Sequence, residues 1–490
     1  MRQWRKTAAV FAAAAMILAG CSTQSSAPSE AASQSAESSA KQEASSEAPE
    51  KETMDLQILA TSDLHGKFNP WDYALNEESK SGSMAQVASA VKELRTDNTI
   101  LVDAGDTIQD NSADLFFDEE IHPMSLAMNE IGYDVWVTGN HEYNFGGDVL
   151  KKVISQQKAK VLTGNVKDPE GKPLADSYTI IEKGGAKIGI IGMVTPNITR
   201  WDSANLEGWT VTDPVEETRK IIDEIKDQTD VLIAVMHMGM NNEYEVKNSG
   251  AEDLANACPE LDLIVASHEH RLIEGEEVNG VLVVMNKNSA ATMAKVDLTL
   301  EKQEDGSWEV AERTSESLDM SAYEPDKELM EKLAPYDERA KEDAAVVIGK
   351  LEGGSLAPEN EIAEIPTAQI QDTALIDLIN EVQMYYTGAD VSAAALFNMN
   401  ANLKEGEIRK CDTALVYKYA NTLYKLEMTG AQLKKYMEWT ASYYNTWKPG
   451  DLTISFNPEI RAYQYDMFAG VNYDINVANE PGSRIETGKR

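Results

Sequence analysis

The sequence predicts an α/β fold arranged in two domains. The main observation is a series of short runs of Ile, Val and Leu, which are typical of buried strands. The runs are Leu56–Ala60, Ile100–Val102, Val135–Val137, Lys187–Val194, Val231–Met236 and Leu263–Ala266. Helical patterns lie between the runs, and this alternation indicates an α/β core. The length of 490 residues exceeds what a single hydrophobic core usually organises, so we expect a second domain.

Two segments between the runs show why helices are expected there. In Met84–Leu94, the apolar residues recur at the spacing that places them on one helix face. Asp213-Pro214-Val215-Glu216 supplies an N-cap, a first-turn proline and an N3 glutamate, which predict a helix running to about Asp227.

A charged stretch, Asp326–Ala345, follows the last run and carries few apolar residues on one face. This pattern predicts a solvated helix that connects two domains. We therefore assign residues 54–324 to the first domain and residues 325–350 to the connecting helix.

A second α/β region is expected over residues 351–490, after Gly353-Gly354. Thr373–Thr387 is amphipathic and is followed by Gly388, a residue that commonly ends helices. The sequence Thr429-Gly430-Ala431-Gln432 is a capping box and predicts the start of another helix.

The first 53 residues read as an export signal and a tether. Residues 1–21 combine a basic start with a short apolar core and end in Leu18-Ala19-Gly20-Cys21, which resembles the lipobox of bacterial lipoproteins. An ordinary signal peptide with a chance cysteine is the alternative, but the small residues before Cys21 favour lipidation. Residues 22–53 are mostly Ser, Ala, Glu and Gln and predict a disordered tether. The expected location is the extracellular face of the bacterial cytoplasmic membrane, with the lipid anchor as the only membrane contact.

The formal net charge of −38 argues strongly against a nucleic-acid polymer as partner, because binding to a phosphate backbone needs clustered Lys and Arg. A small anionic substrate would need local positive charge, which bound divalent cations could provide. Besides Cys21, the chain has Cys258 and Cys411, which could pair or be buried singly. We expect no disulfide framework.

Histidines, together with two aspartates and an asparagine, recur where the predicted strands end. Five of the six histidines stand at these strand ends, and only His122 lies elsewhere. The residues concerned are Asp63, His65, Asp106, Asn140, His141, His237, His268 and His270. Strand ends of α/β sheets are where loops converge and sites assemble. Imidazole, carboxylate and amide donors together suit divalent Zn, Mn or Co.

These segments, DLH, GD, GNHE, His237 and HEH, resemble the calcineurin-like metallophosphoesterases, in the order found in the nucleotidase branch. The resemblance extends from about Leu56 to Ile485. It implies an N-terminal metallophosphoesterase αββα sandwich followed by a second α/β domain of the 5′-nucleotidase C-terminal type.

Carried over by position, the resemblance implies two divalent metal ions bridged by Asp106. Asp63, His65 and His270 would complete one site, and Asn140, His237 and His268 the other. His141 would face the phosphate as the catalytic residue. The alternative is that His141 is a further metal ligand.

One departure bears on the substrate. The 5′-nucleotidase branch has an aspartate two positions after GNHE, where this chain has Asn144. An amide can hold the catalytic imidazole but stabilises its protonated form less than a carboxylate does. The 2′,3′-cyclic-nucleotide 2′-phosphodiesterase/3′-nucleotidase branch resembles this sequence better.

In the second domain the resemblance implies substrate contacts at Asn398, Asn400, Tyr419 and Asn421. The stretch 397–402 lacks the arginines of 5′-nucleotidases. Tyr419 would stack on the base, although alternation of Tyr417 and Tyr419 in a half-buried strand explains the same residues. The resemblance also implies a final glycine-rich loop beyond Arg490, so we expect this domain to be incomplete, as a shortened product or as part of a longer chain.

The sequence thus predicts a secreted phosphoesterase that acts on small nucleotides, with 2′,3′-cyclic nucleotides preferred. A 5′-nucleotidase is the first alternative. A solute-binding lipoprotein of a transporter is an alternative of another class, which explains the anchor and domains but not the histidines. The sequence does not determine the oligomeric state.

Overall fold

The structure is a computed structural model that describes residues 51–417 and 422–487. The first domain contains two six-stranded sheets. Their strands are β1 (Thr53–Thr61), β2 (Thr99–Asp103), β3 (Val135–Val137), β4 (Lys160–Leu162), β5 (Tyr178–Lys183), β6 (Ala186–Val194), β7 (Val231–His237), β8 (Leu263–Ala266), β9 (Ile273–Val278), β10 (Val281–Met285), β11 (Thr292–Lys302) and β12 (Trp308–Asp319).

The helices of this domain lie between the strands or after them. They are α1 (Met84–Leu94), α2 (Pro123–Ile131), α3 (Gly147–Gln156), α4 (Ile198–Trp201), α5 (Pro214–Ile225), α6 (Ala251–Ala257) and α7 (Lys327–Ala344). Asp213 caps α5 by accepting from the backbone nitrogens of Val215 and Glu216, as its sequence predicts.

Each sheet has parallel strands at its centre. The first has the order β12-β11-β1-β2-β3-β4, and β1 to β4 pair in parallel. The second has the order β9-β10-β8-β7-β6-β5, and β6, β7, β8 and β10 pair in parallel. All six apolar runs form strands of these sheets, so the strand prediction is confirmed.

The two sheets pack face to face, with helices on both outer faces. Ile58 and Val102 of the first sheet share a buried core with Ile190 and Val235 of the second. Leu59, the neighbour of Ile58, points the other way into a core with α1, α2 and α7. Helices α5 and α6 cover the outer face of the second sheet. This is the predicted αββα sandwich.

Helix α7 corrects one expectation. It is not a solvated connector, because Leu329, Leu333 and Ala340 are buried in the core that α1 and α2 share with the first sheet. The apolar stripe is narrow because Ala occupies part of it, and the sequence pattern therefore understated its burial. Asp326 caps the helix and also binds Lys92 of α1, at 2.6 Å from Asp326 Oδ2 to Lys92 Nζ.

The second domain is a mixture of helices and short antiparallel strand pairs. Its elements are β13 (Val347–Leu351), α8 (Ala374–Thr387), β14 (Ser392–Ala394), β15 (Gly406–Arg409), α9 (Lys410–Ala414), α10 (Gly430–Thr440), β16 (Met467–Ala469), β17 (Tyr473–Ile475) and β18 (Ile485–Thr487). Gly388 ends α8 at φ 58°, and Thr429 and Gln432 form the predicted capping box of α10.

Cys258 is buried and Cys411 half-buried, and both are free thiols. Along the two described stretches, no helix is both long and apolar enough to cross a bilayer.

Candidate dinuclear metal centre

The predicted site residues converge at the carboxyl ends of five strands. Asp63 and His65 follow β1, Asp106 follows β2, and Asn140 with His141 follows β3. His237 is the last residue of β7, and His268 with His270 follows β8. Because the first three strands belong to one sheet and the last two to the other, the site joins both sheets of the sandwich.

Three of the predicted ligands form a first cluster. Asp63, His65 and His270 each offer a ligand atom, and these atoms lie within 4.8 Å of one another. Nε2 of His65 lies 3.0 Å from Nε2 of His270, which in turn lies 3.6 Å from Oδ1 of Asp63. Two imidazole nitrogens and a buried carboxylate oxygen that face one point suit a divalent cation.

A second cluster lies beside the first. Asp106, His237 and His268 place their ligand atoms within 4.8 Å of one another. Nε2 of His237 lies 3.1 Å from Oδ2 of Asp106 and 3.0 Å from Oδ1 of Asn140. The structure therefore brings together all seven residues that the resemblance implies as ligands, with Asp106 grouped with His237 and His268.

The charge state of the second cluster depends on two buried groups. Burial by itself would raise the pKa of Asp106, but His237, His141 and His65 lower it well below its usual range. Burial by itself would lower the pKa of His237, but Asp106 raises it to about 10. A buried imidazole and a buried carboxylate thus face each other, an arrangement that also suits a divalent cation.

Most of the predicted ligands have unusual backbone conformations. The φ angles of Asp63, His65, Asp106, His268 and His270 lie between 46° and 73°. This left-handed region costs a non-glycine residue about 1 kcal/mol. The surrounding hydrogen bonds must therefore impose it. The backbone nitrogen of Asp63 donates to Gly105 O at 2.8 Å, and that of His65 donates to Asp106 O at 2.9 Å.

Hydrogen bonds on the outer side of three of the four ligand imidazoles indicate which nitrogen faces the clusters. Nδ1 of His237 lies 2.7 Å from Ala104 O, so Nδ1 carries the proton and Nε2 faces Asp106. Nδ1 of His65 lies 3.1 Å from Oε1 of Gln109. For His268 the order is reversed, because Nε2 lies 3.2 Å from Oε1 of Glu243 and Nδ1 is left for the cluster.

Two loops of the site share one buried carboxylate. Glu142 accepts from the backbone nitrogens of Asp106 at 2.9 Å, Thr107 at 2.7 Å and Gly139 at 2.5 Å. Burial, and then the nearby Asp106, raise the pKa of Glu142. Glu142 therefore fixes the loop after β2 against the loop after β3.

His141 stands at the mouth of the site and outside both clusters. Its side chain is 34% exposed, and its Nε2 lies 3.9 Å from Oδ2 of Asp106. Nδ1 lies 2.6 Å from Oδ1 of Asn144. Burial lowers the pKa of His141, but Asp106 and the Asn144 hydrogen bond outweigh it, and the net shift is upward. The accessible Nε2 can exchange a proton with a molecule bound over the clusters.

A cleft of about 300 Å³ lies between the two domains near this site. Gln109, which binds His65, lines it from the first domain, and Lys410 and Tyr417 line it from the second. Asn398 and Asn400 are not among the described residues that line the cleft. Instead, Oδ1 of Asn398 accepts from the backbone nitrogen of Asn400 at 3.0 Å and closes a local turn.

The remaining predicted positions have no described environment. Tyr419, Asn421 and Cys21 lie outside the described residues. Tyr417 belongs to no strand, so strand alternation does not account for it.

Two family models cover most of the folded chain. Residues 56–272 match the family described as calcineurin-like phosphoesterase, and residues 347–489 match the family described as 5′-nucleotidase, C-terminal domain. The chain combines these two domains. Its curated relatives are phosphoesterases and nucleotidases, which are hydrolases that act on phosphate esters, and the match favours an enzyme over the solute-binding alternative. Calcineurin-like phosphoesterases use divalent metals, which agrees with the two clusters.

Curated relatives agree with this assignment. The trifunctional nucleotide phosphoesterase protein YfkN of Bacillus subtilis is 30% identical over 89% of this chain, but the chain spans only 33% of that relative. A 2′,3′-cyclic-nucleotide 2′-phosphodiesterase/3′-nucleotidase of Yersinia enterocolitica is 28% identical over 87% of the chain and 74% of the relative.

Among solved structures, the 5′-nucleotidase precursor of Thermus thermophilus superposes with a TM-score of 0.60. The match covers 88% of this chain and 84% of the other at 21% identity, so it speaks to the fold alone.

Several residues that support the site were not predicted. Glu142 belongs to the GNHE segment, where its place two residues after the predicted ligand Asn140 was a usable signal. Gln109 and Glu243 stand in loops with no recognisable pattern, and Asp202, which binds Asn144, lies 58 residues from it. Such contacts depend on the tertiary fold, which the sequence does not display locally.

Proposed function

We propose that this chain is a secreted, lipid-anchored phosphoesterase with two divalent metal ions, which hydrolyses 2′,3′-cyclic nucleotides to 3′-nucleotides and then to nucleosides. The observation that carries the substrate preference is the residue beside His141. An amide, Asn144, holds the imidazole where the 5′-nucleotidase branch has a carboxylate.

The seven clustered residues would hold the ions, with Asp106 between the two groups. The ions, when bound, would supply Lewis-acid stabilisation of the phosphate charge and lower the pKa of water. His141 would bind a phosphate oxygen through Nε2 and protonate the leaving oxygen. Asn144 would keep Nδ1 of that ring protonated by accepting its hydrogen bond.

The nucleoside would occupy the cleft between the domains. Tyr417 lines this cleft and packs edge-on against Phe397, with ring centroids 5.0 Å apart. Phe397 stacks with Tyr463 at 6.2 Å and 8° between the ring planes. These partly exposed rings offer flat surfaces to a base, and stacking accepts every base because each has a π-face.

The absence of arginine from residues 397–402 supports the same preference. A terminal phosphomonoester carries more charge than a cyclic diester, so a site without those arginines is better suited to the diester. The Yersinia relative with this activity aligns along most of the chain, which adds support.

The deciding experiment compares initial rates on 2′,3′-cyclic AMP, 3′-AMP and 5′-AMP with added Mn²⁺. We expect the cyclic substrate to have the highest kcat/KM and 5′-AMP the lowest. The variant Asn144→Asp introduces the carboxylate of the 5′-nucleotidase branch. We expect it to have a higher ratio of kcat/KM on 5′-AMP to kcat/KM on 2′,3′-cyclic AMP than the parent. A parent enzyme that prefers 5′-AMP would refute the proposal.

The second candidate is a 5′-nucleotidase. The family match of residues 347–489 favours it, because this domain type is named for that activity. The same three-substrate comparison separates the two candidates, since each predicts a different first substrate.

Lipid attachment at Cys21 is the second part of the proposal. The small residues before Cys21 support it. Expression in a bacterial host with labelled palmitate should give a labelled membrane-bound protein, and Cys21→Ser should abolish the label. Equal labelling of both proteins would contradict attachment at Cys21.

A further inference from the structure

A carboxylate lies behind the amide that binds His141. Nδ2 of Asn144 donates to Oδ2 of Asp202, in the turn that follows α4. The other oxygen of Asp202 accepts from Nδ2 of Asn205 at 3.1 Å, and the same Nδ2 lies 2.8 Å from Asn144 O. His141, Asn144 and Asp202 thus form a line of imidazole, amide and carboxylate.

The order of groups in this line fixes the orientation of the amide. An ionised carboxylate only accepts hydrogen bonds, so Asp202 requires the NH₂ group of Asn144 on its side. The oxygen of Asn144 must then face Nδ1 of His141, which must carry a proton. Nε2 of His141 is left as the nitrogen that faces Asp106 and the open mouth of the site.

Asp202 is itself held in place by the backbone. Its nitrogen donates to Ile198 O at 2.9 Å, and its carbonyl accepts from Leu206 N at 3.0 Å. Leu206 is buried against the core of the first domain. The residue before Asp202, Trp201, stacks on His268 with ring centroids 5.2 Å apart. The segment is thus fixed relative to both His141 and the second cluster.

We propose that Asp202 is a positioning residue for His141 and acts through Asn144. In the 5′-nucleotidase branch a carboxylate stands next to the imidazole. In this chain the amide of Asn144 stands there, and the carboxylate of Asp202 lies behind it. The inference rests on the proposed role of His141, and it deepens that role. It needs no particular nucleotide as substrate.

The alternative is that Asp202 and Asn144 only fasten two loops together. Exchanging the two side chains distinguishes these possibilities. Asp202→Asn removes the charge and lets the amide of Asn144 turn. Asn144→Asp places two carboxylates in contact. The double variant N144D/D202N restores one amide and one carboxylate in reversed order, so the line is complete again.

Rates should be measured on p-nitrophenyl phosphate and phenyl phosphate, which differ mainly in how readily the leaving oxygen departs. Each single variant should lose about 10- to 100-fold in kcat on phenyl phosphate, with KM and metal content unchanged. The loss should be smaller on p-nitrophenyl phosphate, whose leaving group needs no proton. The double variant should recover to within a few-fold of the parent.

Glu207→Gln is the matched control, because it removes an exposed carboxylate from the same loop. It should leave every value unchanged. A second readout is independent of turnover. In ¹⁵N-histidine-labelled protein without metal, the His141 Nδ1–H resonance should be protected in the parent, lost by fast exchange in Asp202→Asn and regained in the double variant.

Unchanged kcat in Asp202→Asn would overturn the inference, and so would losses that are equal on both esters or a double variant without recovery. Because both esters lack a nucleoside, a wrong nucleotide preference would leave this result intact. If the double variant N144D/D202N does not recover, the proposed nucleotide preference is unaffected and is still decided by the three-substrate comparison.

Discussion

The backbone nitrogen of Thr107 donates to Oε1 of Glu142 at 2.7 Å, across the two loops that carry Asp106 and Asn140. Glu142 is fully buried and receives further backbone hydrogen bonds from both loops. It therefore sets the separation of two predicted ligands without facing the clusters itself.

Glu142→Gln should show the importance of this contact. The variant keeps the shape but turns an NH₂ group towards backbone donors, which leaves buried N–H groups unpaired at about 1–3 kcal/mol each. We expect a lower free energy of unfolding and the loss of metal from the second cluster, measured by urea denaturation and elemental analysis. Glu269→Gln, a half-buried carboxylate in the HEH segment, is the control. Full metal content in Glu142→Gln would contradict the assignment.

His141→Ala should separate catalysis from metal binding. His141 stands outside both clusters, and its Nε2 is accessible at the mouth of the site. We expect kcat to fall about 10²- to 10⁴-fold, as for the loss of a general acid, with the metal content of the parent. Elemental analysis and single-turnover rates test this. If one metal ion is lost, His141 is a ligand and its proposed role is wrong.

The sequence predicted the strands and the polar residues at their ends for the same reason, and the family resemblance implied which of those residues are ligands. Short apolar runs mark buried strands, and polar residues just beyond them must lie at a sheet edge, so His237 and Asp106 could be placed together although 131 residues separate them in the chain. Residues that orient the ligands and His141 had no such marker. Glu243 and Asp202 are positioned by loops whose conformations depend on packing.

Helix α7 shows a second limit of sequence patterns. Leu333 is completely buried, although the segment around it is rich in charged residues. Leu333→Ala should cost about 2–5 kcal/mol of the unfolding free energy, as in other large-to-small core changes. Glu331→Ala, on the exposed side of the same helix, should cost less than about 0.5 kcal/mol. If urea denaturation shows equally small losses of unfolding free energy for Leu333→Ala and Glu331→Ala, the helix is solvated on both sides and the sequence-based interpretation is restored.

His122, the histidine outside the metal site, should make stability depend on pH. Nε2 of this buried side chain lies 3.0 Å from Ala113 O, and Nδ1 accepts from Met124 N at 3.3 Å as the N-cap of α2. A second proton would have to sit on Nδ1, where it would face another donor. Burial lowers the pKa of His122 to about 4, although the bond to Ala113 acts in the opposite direction.

The sign follows from comparing the folded and unfolded states. Between pH 6.5 and 4 the unfolded chain binds a proton at His122 that the folded protein does not, so stability falls as the pH falls through this range. The loss should reach about 3 kcal/mol at pH 4. His122→Asn retains a capping side chain and cannot titrate, so the difference in unfolding free energy between parent and variant should shrink from pH 7 to pH 4. Because other groups titrate equally in both proteins, a difference in unfolding free energy that stays constant over this range would show that the pKa of His122 is the same in the folded and unfolded states.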